Sequence, residues 1–321
     1  MTHGAETRDL NGDCRFHNPR PEIFFHATPL SCQYPKKRMQ SVSQRLSAAL
    51  LVAFASVAGC GSGRVVLPFA LEGAALPPAP VHADFPTHAD AIRGISAVIV
   101  RDLELPLPKA FTAYVYSGRD GFERGLVEDA NVSPIRAAEL SEFAVGIGKR
   151  RQLLLNDEGG AARGREWYRL IAHELAHVSQ IELAGGEGRA EQWLAEGMAE
   201  WAAFNVLERL ELDTVANRRK LAVTGIRNHA ALVAARLDLE TLGNPRGFTV
   251  RHLREGSLPT YQLAFLMADY LITRDGAPRV VAYFRSFERR QDRHANFRDT
   301  FGQSLEHFEL EVLAHLKSLV R

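Results

Sequence analysis

A five-residue pattern, His173-Glu174-Leu175-Ala176-His177, most constrains what this chain can fold into. The apolar residues around it recur at helical spacing, which predicts an amphipathic helix with a buried face: Trp167, Leu170, Ile171, Leu175 and Val178. Positions i and i+4 share one face of a helix, so His173 and His177 can direct two imidazoles at one metal ion. Glu174 can then reach a metal-bound water as a general base.

A catalytic zinc ion needs a third protein ligand and keeps one position open for water. The carboxylates that follow the motif are candidates: Glu182, Glu187, Glu191, Glu196 and Glu200. Glu182 would continue the first helix and lies too close in sequence to turn back. The glycines between positions 185 and 188 break that helix, and a second predicted helix carries Glu196, with eighteen residues between it and His177. Glu196 is therefore the favoured third ligand.

Two neighbours of Glu196 fit this arrangement. Gly197 would allow the second helix to pack closely against another. Glu200 lies one turn further on the same face, where it can accept the second ring N–H of a ligating histidine, as carboxylates near metal sites commonly do.

These residues together resemble a known family. The pattern H-E-x-x-H, then eighteen residues and Glu inside WLAEGMAE (193–200), resembles the gluzincin zinc metallopeptidases. The closest likeness is to the peptidase MA-like proteins, which are related to thermolysin and the aminopeptidases. The resemblance implies a Zn²⁺ ion held by His173, His177 and Glu196, with Glu174 as the catalytic general base and Glu200 supporting a ligand. It covers most of residues 85–320 and implies a zincin fold, a thermolysin-like catalytic domain.

Two other parts of the chain resemble the same family in their placement. Segment 143–156 (FAVGIGKRRQLLLN) is similar in position to the family's substrate-binding edge strand. It lacks the glycine-and-glutamate motif of the aminopeptidases, and its Lys149-Arg150-Arg151 is cationic, so an endopeptidase is favoured over an exopeptidase. A downstream Tyr or His often stabilises the oxyanion in this family, and Tyr261 resembles that residue in placement. Tyr261 is equally compatible with a role as an aromatic core residue.

The remaining histidines after the motif have no ligand spacing and are predicted to be surface or packing residues: His229, His252, His294, His307 and His315.

The wider pattern predicts one α+β domain over residues 85–321, a small mixed sheet followed by a mostly helical part. The predicted early elements are a helix at 88–103, a strand at 111–117, a short helix at 120–129 and a strand or hairpin at 143–156, where Gly146 and Gly148 mark a bend or bulge. The later helices are predicted near 189–211, 214–224, 228–239, 259–274, 277–290 and 303–320. With 46% hydrophobic residues such a chain can bury a sizeable core.

The first sixty residues carry a different signal. A basic stretch around residues 36–45 precedes the apolar run 48–57, and Val57-Ala58-Gly59-Cys60 resembles the lipobox of bacterial lipoproteins. We expect residues 1–38 to be untranslated or unstructured, 39–59 to be a lipoprotein signal peptide, and 60–84 to be a flexible tether. The resemblance implies lipidation at Cys60 and a protein anchored in the bacterial cell envelope.

The cysteines and the overall charge narrow the possible functions. The three cysteines are Cys14, Cys32 and Cys60, so after processing only the anchor would remain, and a metal site must use histidines and carboxylates. The formal net charge is +1 with dispersed basic residues, which gives no indication of nucleic-acid binding.

The sequence therefore predicts a lipid-anchored zinc metallopeptidase that acts on a peptide or protein. Two alternatives stay open: an inactive metallopeptidase-like envelope lipoprotein that serves as a binding or scaffold module, and a helical domain in which the motif arose by chance. The last alternative has a geometric test, because a zinc site requires both imidazoles and the Glu196 carboxylate to converge on one point.

Overall fold

The protein is described by a computed structural model that covers residues 63–71, 76–158, 164–186, 190–234 and 236–321. The strands are β1 (Arg64–Ala70), β2 (Ala110–Tyr116), β3 (Gly146–Lys149) and β4 (Gln152–Asn156). The first helices are α1 (His88–Arg101), α2 (Arg119–Glu128), α3 (Pro134–Ser141), α4 (Arg165–Leu183), α5 (Gln192–Arg209), α6 (Val215–Asn228) and α7 (Ala231–Ala234). They are followed by α8 (Leu239–Leu242), α9 (Pro245–Glu255), α10 (Ser257–Asp275), α11 (Ala277–Ser286), α12 (Arg293–Phe301) and α13 (Leu305–Leu319).

The described strands form one small mixed sheet in the order β1-β2-β4-β3. The outer pairs are antiparallel and the central pair, β2 with β4, is parallel. The parallel pair needs a crossover, which α2 and α3 supply, whereas β3 and β4 join through a tight hairpin. The predicted α+β class, a small mixed sheet followed by a mostly helical part, is confirmed.

The first strand corrects one prediction. Arg64–Ala70 falls within residues 60–84, for which a flexible tether is expected, yet it pairs with β2 along its full length. Phe69 is buried and its ring stacks on Phe111 with 5.0 Å between centroids. Pro68 is tolerated because β1 is an edge strand, where a missing N–H breaks no ladder. Residues 1–62, which include Cys60 and the expected signal peptide, lie outside the described residues.

Most predicted elements after residue 85 match the structure within a few residues, but the helix predicted at 228–239 is reduced to α7, and four short helices were not predicted. They are α3, α8, α9 and α12. Helix α9 contributes Phe248 and His252 to a pocket beside the candidate site. This helix has an ordinary start signal, because the Asn244 side chain accepts from Gly247 N at 2.7 Å and Pro245 occupies its first turn.

Helix α5 is the centre of the helical part and packs between α4 and α10. All but one of its residues from Gln192 to Phe204 are buried, so it has no solvent-facing stripe over that length. No helix among the described residues is both long enough and apolar enough to cross a membrane.

Gly197 permits the close packing of α5 on α10, as the sequence predicts. A Cβ atom at this position would meet the Ala264 backbone oxygen, and it would lie 2.7 Å from the Ala268 Cβ. Neither atom belongs to a flexible side chain, so the helices would have to separate.

We expect Gly197→Ala to lower the free energy of unfolding by about 1–3 kcal/mol, the usual cost of overpacking a core. The matched control is Gly121→Ala in α2, where an added Cβ would have its nearest neighbour at 3.7 Å. That change is expected to be neutral or stabilising, because alanine favours a helix over glycine. Urea denaturation of both variants measures the difference, and equal effects would contradict the close packing.

Candidate metal centre

Helix α4 places the two motif histidines side by side in the core. His173 and His177 are both buried, and their Nε2 atoms lie 3.2 Å apart. The four-residue spacing produces this proximity directly, because it returns to the same face of the helix. Two neutral imidazoles that share such a spacing are suited to binding one metal ion.

Helix α5 brings the third candidate ligand to the same point. Glu196 Oε2 lies 3.5 Å from His173 Nε2 and 3.6 Å from His177 Nε2. Tetrahedral coordination with bonds of about 2.0–2.2 Å places neighbouring ligand atoms about 3.3–3.6 Å apart. The two distances to Glu196 fall in that range and the 3.2 Å between the imidazole nitrogens lies just below it, so this buried group could hold a metal ion. The convergence required by the geometric test is met.

A glutamine on α4 orients His177. The Gln180 side chain donates from Nε2 to the Ala195 backbone oxygen at 2.9 Å, so its Oε1 faces His177 Nδ1 at 2.8 Å. An amide oxygen only accepts, so Nδ1 carries the ring proton. The lone pair of His177 is therefore on Nε2, the atom that faces His173 and Glu196.

A chain of charged groups orients His173. Its Nδ1 lies 3.1 Å from Glu200 Oε1, and the same oxygen accepts from Arg169 at 2.6 Å. Arg169 also donates to Glu166 at 2.9 Å, at the edge of the core. Glu200 thus lies behind a candidate ligand, at the predicted place, and Arg169 extends this series of charged groups toward the surface.

The general-base candidate lies under the hairpin. Glu174 is fully buried, and its Oε2 accepts from Gly148 N at 2.7 Å. A Cβ at Gly146 would lie 2.7 Å from Glu174 Oε1, and one at Gly148 would meet the Glu174 backbone oxygen. The two glycines, predicted to mark a bend or bulge, instead lie in strand β3 and allow it to rest directly on α4.

The buried charges shift one another's proton affinities. Burial lowers the pKa of His173, but the charge of Glu200 and hydrogen bonds with Glu196 and Glu200 outweigh it and raise that pKa to about 9. Burial opposes ionisation of Glu200, yet the charges of Arg169 and His173 lower its pKa to about 2. Burial, with a smaller contribution from the charge of Glu196, raises the pKa of Glu174 to about 8 against the effect of His173.

Tyr261, the candidate oxyanion donor, lies beside this group. It is buried at the start of α10, and its ring centroid is 6.3 Å from that of His173. A pocket adjoins it, with walls that include Phe143, Phe248 and His252. His252 packs at 6.0 Å from the Tyr261 ring, so this histidine, predicted as a surface or packing residue, is a packing residue that also lines the pocket.

Sequence reasoning missed three polar residues that hold the site. Gln180, Arg169 and Gln192 contact His177, Glu200 and Glu196 respectively. Their positions in the sequence could have indicated this role, because each lies three or four residues from a candidate ligand and so on the same face of its helix.

Comparison of the chain with models of protein families, with curated proteins and with solved structures gives no match.

We expect Arg169→Met to destabilise the protein by about 3–5 kcal/mol, because it leaves the Glu200 carboxylate buried without its principal cationic partner. Arg165→Met is the matched control on the same helix, since the Arg165 side chain is 50% exposed and its ion pairs contribute less than about 1 kcal/mol. Chemical denaturation of both variants without added metal measures the two effects. A small effect at Arg169 would contradict a buried, structurally required ion pair.

We further expect metal binding to strengthen as the pH rises. The pKa of His173 is raised to about 9, so below that pH a proton on the imidazole competes with a cation for Nε2. Release of the His173 proton alone makes the apparent affinity rise about tenfold per pH unit, and release of the Glu174 proton as well would make the rise steeper. Zinc competition with a chromophoric chelator between about pH 6 and 8, corrected for the chelator's own protonation, measures the slope. A flat profile would contradict the prediction.

Proposed function

We propose that the chain is a zinc metallopeptidase, an endopeptidase with a zincin fold that is anchored by lipid in the bacterial cell envelope. The observation that carries the proposal is the convergence of His173, His177 and Glu196 in a buried site, with Glu174 next to the first ligand. The donor set supports zinc among the metals, because two imidazoles and one carboxylate with an open fourth position are typical of catalytic zinc.

A zinc ion at this position supplies Lewis-acid chemistry, which polarises a carbonyl oxygen and acidifies water. The protein's contribution is to hold the three ligand atoms at the right spacing. Gln180 and Glu200 fix the orientation of the two imidazoles, which keeps each Nε2 directed inward. Orienting partners of this kind also raise the basicity of the ligands.

Glu174 is the group proposed to move the proton. Its carboxylate would accept a proton from the attacking water and return it to the leaving amine, which departs as a neutral group. Burial raises its pKa to about 8 in the metal-free protein, and a cation bound beside it would lower that pKa, so that the carboxylate would be ionised and able to accept a proton near neutral pH. The Gly148 N–H that it contacts restricts the orientation of the carboxylate.

Two features support an endopeptidase acting on a peptide or protein. Strand β3 is an edge strand beside α4, where an extended peptide backbone can align with the sheet. The hairpin that it forms carries Lys149, Arg150 and Arg151 and no carboxylate, so it offers no partner for a substrate's terminal amine. Tyr261 is proposed as an oxyanion donor because it lies beside His173.

The envelope location is proposed from the lipobox-like stretch that ends at Cys60. Lipidation there would provide the membrane contact, and no nucleic-acid partner is proposed. The rival hypothesis of an inactive scaffold lipoprotein is disfavoured by the complete set of His173, Glu174, His177 and Glu196, since loss of activity usually removes one such residue.

We expect the protein to bind about one equivalent of zinc and to cleave peptides, and Glu174→Gln to keep the zinc while losing activity by about 10²–10⁴-fold. The matched control is Glu182→Gln on the same helix, which lies outside the metal site and is expected to retain activity. Zinc content by elemental analysis and cleavage of a peptide library, with and without chelator, provide the measurements. Full activity in Glu174→Gln would overturn the proposal, and zinc binding without any cleavage would favour the scaffold alternative.

A further inference from the structure

The pocket beside the metal centre has a mixed lining. Its aromatic walls are Phe143, Phe248 and Tyr261, and its polar side chains include Gln192, Thr249 and His252. Tyr261 lies beside His173, and Gln192 contacts Glu196. The pocket therefore adjoins the metal site, and a molecule whose reacting bond lies at that site would place its neighbouring group here.

Gln192 gives the pocket a specific hydrogen-bonding character. Its Nε2 donates to Glu196 Oε1 at 2.7 Å. In the reverse amide orientation the Gln192 oxygen would face that carboxylate oxygen, and two acceptors form no hydrogen bond. The Oε1 atom is then left as an acceptor, and it has no hydrogen-bond partner among the described residues although Gln192 is 2% exposed. An unsatisfied buried acceptor costs about 1–3 kcal/mol, so a ligand that brings a donor gains by satisfying it.

The pocket is also small and uncharged. It leaves about 10 Å³ for the centre of a water-sized group, which is close to the least that accommodates one such group. Burial lowers the pKa of His252, so its ring is neutral at pH 7. These properties exclude a charged or bulky occupant and leave a hydroxyl or methyl group.

We propose that this pocket is a specificity subsite for a small hydroxyl-bearing side chain, that of serine, at the residue next to the cleaved bond. This inference rests on the proposed peptidase function and adds a substrate class to it. The serine hydroxyl donates to Gln192 Oε1, whereas the alanine methyl fits the space but leaves that oxygen unsatisfied. The rings of Phe143 and Phe248 exclude leucine and phenylalanine.

The test uses the zinc-loaded full chain and a series of peptide hydroxamates that differ only in the side chain next to the metal-chelating group. Calorimetric titration measures the affinity for the serine, alanine, leucine and phenylalanine members. We expect serine to bind about tenfold more tightly than alanine, the factor for one satisfied buried acceptor, and the two large side chains to bind more weakly still. Equal affinity for serine and alanine, a preference for phenylalanine, or no binding of any member would overturn the proposal.

Two variants assign the preference to its residues. Gln192→Leu is expected to reduce the serine-to-alanine ratio to about one, and this ratio is unaffected by any general weakening of the metal site. Phe143→Ala is expected to improve phenylalanine relative to serine by at least about tenfold, because it removes a wall of the small pocket. Val250→Ala is the control, since Val250 is an exposed residue of α9 outside the pocket lining, and it should leave both ratios unchanged. Unaltered ratios in Gln192→Leu and Phe143→Ala would overturn the assignment.

Cleavage of matched serine and alanine peptides, measured in parallel, separates this inference from the proposed function. If the hydroxamates bind with the expected side-chain selectivity but no peptide is cleaved, the proposed peptidase activity is contradicted and the proposed serine-selective pocket is still supported. Cleavage without a serine preference would contradict the subsite and leave the peptidase intact.

Discussion

The packing of α5 against α4 is the interaction on which the rest of the structure depends. Contacts between the two helices run in opposite order along them: Gln180 reaches Ala195 near the end of α4, and Arg169 reaches Glu200 near its start. The helices are therefore antiparallel. Buried polar groups whose partners lie on the facing helix resist any sliding, because a shift of one turn would leave several of them unsatisfied. The spacing of the candidate ligands is thus a consequence of helix register.

The same helix connects the metal centre to the pocket. One face of α5 presents Glu196 to α4, while Gly197, the next residue, admits α10 at close range. Helix α10 carries Tyr261 at its start, so the close approach at Gly197 also sets the distance from Tyr261 to His173. A change in the packing of α5 would consequently move the candidate ligand and the pocket wall together, which would couple the proposed substrate selection to the geometry of the candidate metal site.

The sequence predicted the parts of this arrangement that depend on local periodicity. His173 and His177 converge because helical spacing alone places them together, and Glu196 follows once a second helix is assumed to return. The elements that the sequence did not predict depend on tertiary contacts. β1 has one buried residue, Phe69, and becomes a strand only because β2 offers a free edge. Helix α9 is polar along most of its length, so its buried positions, Phe248 and His252, produce a weak pattern although its capping signal was present.

The charges around the site show what kind of ion it suits. Three buried carboxylates, Glu174, Glu196 and Glu200, face one buried guanidinium, that of Arg169. With neutral imidazoles, as metal ligands must be, the group holds two excess negative charges in a medium where uncompensated charge is costly. The pKa values of His173 and Glu174, raised to about 9 and about 8, follow from the same cost of buried negative charge. Both groups hold a proton at neutral pH, and these two protons supply two positive charges. A divalent cation supplies the same charge at one point. Its binding would release those protons, leaving neutral imidazole ligands and an ionised Glu174 carboxylate, the form that a general base requires.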